Sequence, residues 1–207
     1  MTEYAVTIVL GYIMGSLPWG LIIGFIWLRR DIRESGSGKT GTTNVLRTAG
    51  KIPAALVMIL DIAKGAVPAL VGRYAFDSDG AAVAGACAAV VGHVWPVFAG
   101  FRGGRGVAST YGGVLGLAPL LSLGFPVIGA LLVAGTRYVS VMSVVGVPLC
   151  AVLIAVAASL GWTQWEYVIF AAFATVLVEY KHIPNIQRLR AGTEPKIGQG
   201  GNRPATG

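Results

Sequence analysis

The sequence predicts an all-α fold: a polytopic membrane protein of seven spanning helices, with glycine-rich loops on the cytoplasmic side. Three observations carry this reading. Charged residues are only 12% of the 207 and hydrophobic ones 55%, too little polarity to clothe a soluble domain of this length. Mean hydropathy is +0.71, and the apolar residues fall in uncharged runs such as Gly106 to Thr136 and Val139 to Trp162. Spanning helices need about 20 such residues each. The connecting segments differ in charge, and those rich in Lys and Arg lie on the cytoplasmic side.

The apolar segments are, in order, 4–28, 53–75, 81–97, 107–119, 121–136, 139–161 and 165–180. The first lacks a basic start and carries Glu3, so it reads as a spanning helix beginning outside and not as a leader. Segment 29–52 follows with Arg29, Arg30, Arg33, Lys39, Arg47 and Lys51. The 76–80 connection is acidic, with Asp77 and Asp79. Segment 98–106 holds Arg102 and Arg105, and the tail holds Lys181, Arg188, Arg190, Lys196 and Arg203. If both lie inside, an even number of crossings separates them. Pro119 then divides 107–136 into two short helices and places Arg137 inside. The reading is one membrane domain over residues 1–207, with the N-terminus outside, the C-terminus cytoplasmic and a flexible tail from about residue 196.

Gly11 and Gly15, Gly20 and Gly24, and Gly112 and Gly116 have the spacing that lets helix backbones approach in lipid. Trp19, Trp27, Trp95, Trp162 and Trp165 sit near segment ends, as an aromatic belt does. Cys87 and Cys150 lie in apolar runs and form neither a disulfide framework nor a metal centre. The net charge of +7 follows membrane topology, so no nucleic-acid partner is implied.

Three polar segments could carry chemistry. The first, Asp31 to Arg47, packs Gly36, Ser37, Gly38, Lys39, Thr40, Gly41, Thr42, Thr43 and Asn44 among cations. Glycine lets backbone N–H groups approach an anion, hydroxyls add donors, and Arg47 offers a planar fork to phosphate. Gly38-Lys39-Thr40 imitates the end of a nucleotide-binding loop, but Arg33 stands where its first glycine belongs and a spanning helix precedes it. The second segment puts Gly103, Gly104, Arg105 and Gly106 just before a helix, a seat for phosphate. His93, upstream, stays open between a site role and a packed histidine. In the third, His182 and Asn185 share a helix face if the helix persists through Pro184. Asp61 and Lys64, three apart in an apolar segment, read as a structural ion pair.

These segments, with Gly15-Ser-Leu-Pro18 and Leu60-Asp-Ile-Ala-Lys-Gly65, resemble the bacterial acyl-phosphate:glycerol-3-phosphate acyltransferase family over nearly the whole chain. The resemblance implies seven helices and cytoplasmic motifs. It implies transfer of an acyl group from acyl phosphate to the 1-hydroxyl of sn-glycerol 3-phosphate, giving lysophosphatidate and inorganic phosphate in the first step of phospholipid biosynthesis. Carried over by position, Ser37, Arg47, His182 and Asn185 are the catalytic residues. Gly36, Gly38, Lys39, Asn44 and Gly103 to Gly106 hold phosphate, and Glu194 is structural. No cofactor or metal is implied. The implied partners are the two substrates, membrane lipid and the soluble enzyme that makes acyl phosphate. The pattern departs at Lys39, Thr42 and Arg105, where the family has Asn, Ala and Lys. A small organic-phosphate transporter is the rival reading; it calls for cations or broken helices near the membrane midplane.

Overall fold

In the computed structural model, residues 1–199 are described; the rest of the tail, including Arg203, lies outside the described residues. All regular structure among them is helical. The helices are α1 (Thr2–Gly15), α2 (Trp19–Leu28), α3 (Thr42–Thr48), α4 (Lys51–Leu70), α5 (Asp79–Val94), α6 (Val107–Leu117), α7 (Pro119–Ser122), α8 (Gly124–Thr136), α9 (Val139–Ser159) and α10 (Trp165–Arg190). Five runs are long and apolar enough to cross a membrane: Thr2–Leu28, Lys51–Ala75, Asp79–Ala99, Pro119–Thr136 and Val139–Ser159. At 11 residues, α6 is about 17 Å long against a hydrocarbon core of about 30 Å. α10 has 26 residues, but its last third is polar.

The expected single helix over 4–28 is two helices. Pro18 has no N–H to give and disfavours a helical Leu17, so the chain breaks at Ser16-Leu17-Pro18. The Leu17 carbonyl accepts from the Trp19 N–H and from Nζ of Lys64, 3.0 Å away in α4. Pro119 divides the long apolar stretch as expected, but as the first residue of α7, whose run continues almost directly into α8. Pro184 interrupts nothing: α10 continues to Arg190.

Small residues set the packing. A Cβ on Gly11 or Gly15 of α1 would overlap the backbone of Gly85 or Ala89 in α5, and one on Gly112 of α6 would overlap Ile62 of α4. Gly20 and Gly24 differ from the expected helix-on-helix contact: they receive the Thr40 carbonyl and the Ile32 side chain of the first loop. The core runs through α5, with Ala82, Ala86 and Val90 packed against Leu117, Phe170 and Ala174. Val9, Leu131, Val152 and Val176 point outward, as lipid-facing side chains do.

The two ends differ. At one, Arg73, Tyr74, Asp77, Ser78, Asp79 and Gln164 line a polar cleft, and the Tyr167 hydroxyl donates to Asp79. At the other, the three glycine- and cation-rich segments meet.

Candidate active site

The first loop is held by its own polar atoms. Asp31 accepts from the Arg33 N–H at 2.8 Å and pairs with the Arg33 guanidinium at 2.7 Å. A hydrogen bond from that guanidinium keeps the Asp31 carboxyl below its ordinary pKa. Arg33 also reaches across to the Ala99 carbonyl at 3.2 Å, joining the first loop to the segment before the second. Asn44, 1% exposed, accepts from the Ser37 N–H at 2.8 Å. It donates to the carbonyls of Ile32 and Lys39, both at 2.9 Å.

Asn44 was expected to hold phosphate. Both of its amide hydrogens serve the backbone, so it braces the loop instead. Gly36 sits at φ +65, where a Cβ would also overlap Asn44. The Gly38 N–H donates to the Ser35 carbonyl at 3.3 Å. Ser37 is half-buried on this braced turn, and Lys39 beside it is exposed.

The second loop folds back on α5. The Gly104 N–H donates to the His93 carbonyl at 3.2 Å. Gly103 and Gly104 lie against His93 so closely that a Cβ on either would overlap it. Gly106, at φ 87, begins α6, and the first-turn N–H groups of α6 open toward the same end as Arg105.

The third segment is the polar end of α10. His182 is 2% exposed, and its Nδ1 lies 2.8 Å from the Val178 carbonyl. A carbonyl only accepts, so Nδ1 carries a hydrogen, and Nε2 of the neutral ring keeps a lone pair. Asn185, also 2% exposed, donates from Nδ2 to Glu194 Oε1 at 2.7 Å. Its Oδ1 is buried without a partner. The other Glu194 oxygen accepts from Arg188 Nε at 2.7 Å. Glu194 thus links Asn185 to Arg188 and takes the Asn185 amide N–H, leaving Oδ1 without a partner.

Arg105 is the hub. Burial, then the positive charges of Arg188 and Arg47, push its pKa down to about 10 against the pull of Glu194. His182 lies in the field of Arg105, and Lys181 in the fields of Lys39 and Arg105. All three segments thus place charged or polar groups around one guanidinium whose Nε is buried without a partner. Cations crowded this way repel one another, and a phosphate dianion among them relieves that repulsion.

Charge pattern alone marks Lys181 and Arg188 only as inside-facing charges, yet both lie within the field of Arg105. Arg188 stands three after Asn185, a helical spacing that could have flagged it. Asp61 and Lys64 form the expected ion pair, at 2.8 Å. They lie behind the second loop, away from the Arg105 cluster.

The chain is similar to proteins of known class. A family model described as glycerol-3-phosphate acyltransferase matches residues 5–192. Glycerol-3-phosphate acyltransferase of Thermoanaerobacter pseudethanolicus is 40% identical over 197 residues, 95% of this chain and 97% of that protein. The Parasynechococcus marenigrum protein of the same name is 41% identical over 194 residues, 92% and 88% of the two chains. Among solved structures, PlsY, an integral membrane glycerol 3-phosphate acyltransferase, in its glycerol 3-phosphate form superposes with a TM-score of 0.87 at 34% identity. That match covers 94% of this chain and 96% of PlsY. Its lysophosphatidic acid form gives 0.84 at 32%, covering 93% and 94%. With its helical membrane architecture and its cation-lined end, this chain belongs to the glycerol-3-phosphate acyltransferase family of membrane enzymes.

Proposed function

We propose that the protein transfers an acyl group from acyl phosphate to the 1-hydroxyl of sn-glycerol 3-phosphate, releasing lysophosphatidate and inorganic phosphate, as the first step of phospholipid biosynthesis. The observation that carries this reading is that Arg105 of the second loop lies within electrostatic reach of Arg47 from the first and of Arg188, Lys181 and His182 from the third, with Asn185 Oδ1 buried and unpartnered on that third segment. The glycerol 3-phosphate and lysophosphatidic acid forms of the similar PlsY support the substrate and product.

Both reactants carry phosphate, so the site has two anions to hold together. Arg105 and Arg47 neutralise them. Lys39, Ser37 and the backbone around Gly36, Gly103 and Gly106 supply further donors. The glycerol hydroxyls donate to Asn185 Oδ1 and His182 Nε2, which aims the 1-oxygen at the acyl carbonyl. The carbon–oxygen ester bond forms and the bond between carbonyl carbon and phosphate oxygen breaks. The hydroxyl proton goes to the departing phosphate or to His182. Acyl phosphate is already activated, so positioning and charge stabilisation suffice.

Seven crossings, with α6 and α10 completing the five long spans, put the N-terminus outside and this end of the molecule in the cytoplasm. A soluble enzyme that makes acyl phosphate delivers the donor there. Incubating the purified protein with acyl phosphate and labelled glycerol 3-phosphate tests the reading, with acyl carrier protein and acyl-CoA thioesters as competing donors. Lysophosphatidate is expected from acyl phosphate alone; a thioester serving in its place overturns the donor. His182→Gln with near-normal turnover rules out His182 as the base, whereas a loss equal to that of His182→Ala supports it.

A further inference from the structure

Behind the glycine-rich second loop lies a charged cluster that the proposed chemistry does not use. Asp61 is 1% exposed, Lys64 3% and His93 5%. Lys64 Nζ stands 2.8 Å from Asp61 Oδ1, and His93 Nδ1 stands 3.5 Å from the same oxygen. Three ionisable groups this deep are costly to bury and call for a reason.

Their contacts bracket Arg105 on both sides. On the N-terminal side, the Gly104 N–H donates to the His93 carbonyl at 3.2 Å. Gly104 abuts the Nε2 edge of the His93 ring, leaving no space for a Cβ, and Gly103 is jammed against the His93 carbonyl and Pro96. On the C-terminal side, Ser109 Oγ in the first turn of α6 donates to the Asp61 carbonyl at 3.1 Å. The cluster is anchored in turn to the break between α1 and α2, through Lys64 and the Leu17 carbonyl at 3.0 Å.

We propose that His93 is a positioning residue: its ring and carbonyl, with the Asp61–Lys64 pair close behind the ring, form the seat that holds the Gly103–Gly104 stretch and thereby aims Arg105. The proposal rests on Arg105 binding substrate phosphate. A group displaced by about 1 Å loses much of its effect, up to about a hundredfold in rate, so a rigid seat has a kinetic consequence that a packing residue elsewhere lacks.

A double-mutant cycle tests it. Gly104→Ala forces the loop off the ring and is expected to raise KM for glycerol 3-phosphate about tenfold or more, with a smaller change in kcat. His93→Ala removes the seat and is expected to raise the same KM several-fold. In the double variant the added methyl occupies the space the ring leaves, so it is expected to bind better than Gly104→Ala alone. His93→Gln, which keeps bulk against the glycines, is expected to stay near the parent KM.

The proposal is overturned if the two effects multiply in the double variant. It is also overturned if every variant keeps the parent KM and loses only thermal stability. If His93→Ala does not fold, His93→Asn takes its place in the cycle and the same criterion applies. Parent protein that makes no lysophosphatidate sinks the acyl-transfer reading itself, a failure distinct from multiplicative effects in an active enzyme.

Discussion

Asn185 acts through the company it keeps. Glu194 holds its amide N–H at 2.7 Å and is steadied by Arg188. Burial alone would lift the Glu194 pKa, but hydrogen bonds led by Asn185 hold it below the ordinary value, which is about 4.3. A depressed folded pKa stabilises the fold fully above the ordinary value, and the contribution drains away as pH falls through the folded one. Glu194→Gln is therefore expected to melt several degrees lower than the parent at pH 7, since charge-assisted hydrogen bonds contribute about 1.5–3 kcal/mol. Arg188, 40% exposed, adds the smaller part because solvent screens it. The gap between the melting curves should narrow as pH falls below about 4 and close once the folded carboxyl is protonated; a gap that stays unchanged throughout contradicts the role of the carboxylate. His182 and Asn185 were legible as a pair from helical spacing. Arg188 follows the same spacing and could have been added; the His93 contact with Gly104 could not, because it arises from a loop folding back, which spacing does not record.

At the scale of elements, the helices meet backbone to backbone, and glycine permits it. Gly112→Ala puts a methyl into the Ile62 carbonyl of α4 and is expected to cost about 1–3 kcal/mol, as overpacking does. Gly135→Ala, in open space near the end of α8, should be neutral in the same thermal melts. An equal loss in both variants would mean that glycine content and not close approach governs the fold. The run of apolar residues made most helices readable, and Pro119 marked its own break. The break at Pro18 was hidden because apolar residues continue through it, and hydropathy records burial in lipid, not hydrogen bonding. Pro184 misled in the other direction: neighbouring packing carries α10 past a missing N–H. The Gly20 and Gly24 spacing was real, but a loop and not a helix fills it.

At the scale of the whole molecule, charge asymmetry foretold that the glycine-rich segments share an end, and the Arg105 cluster brings them together. The crossing count is tested by cysteine labelling. With Cys87 and Cys150 replaced, single cysteines at the exposed positions Lys39, Arg102 and Arg190 should react with an impermeant thiol reagent only from the cytoplasmic side. Cysteines at Asp77 and Gln164, which line the opposite cleft, should react only from outside. Lys39 and Arg102 labelling from opposite faces would dismantle the shared site.

The Lys64–Leu17 bond couples distant parts of the gene. Its two ends lie 47 residues apart. The ammonium also holds Asp61 Oδ1 at 2.8 Å and the carbonyl also accepts from the Trp19 N–H at 3.0 Å, so the bond ties the kink into a buried polar network. A substitution that straightens the kink therefore withdraws one of two partners from a buried ammonium far along the chain.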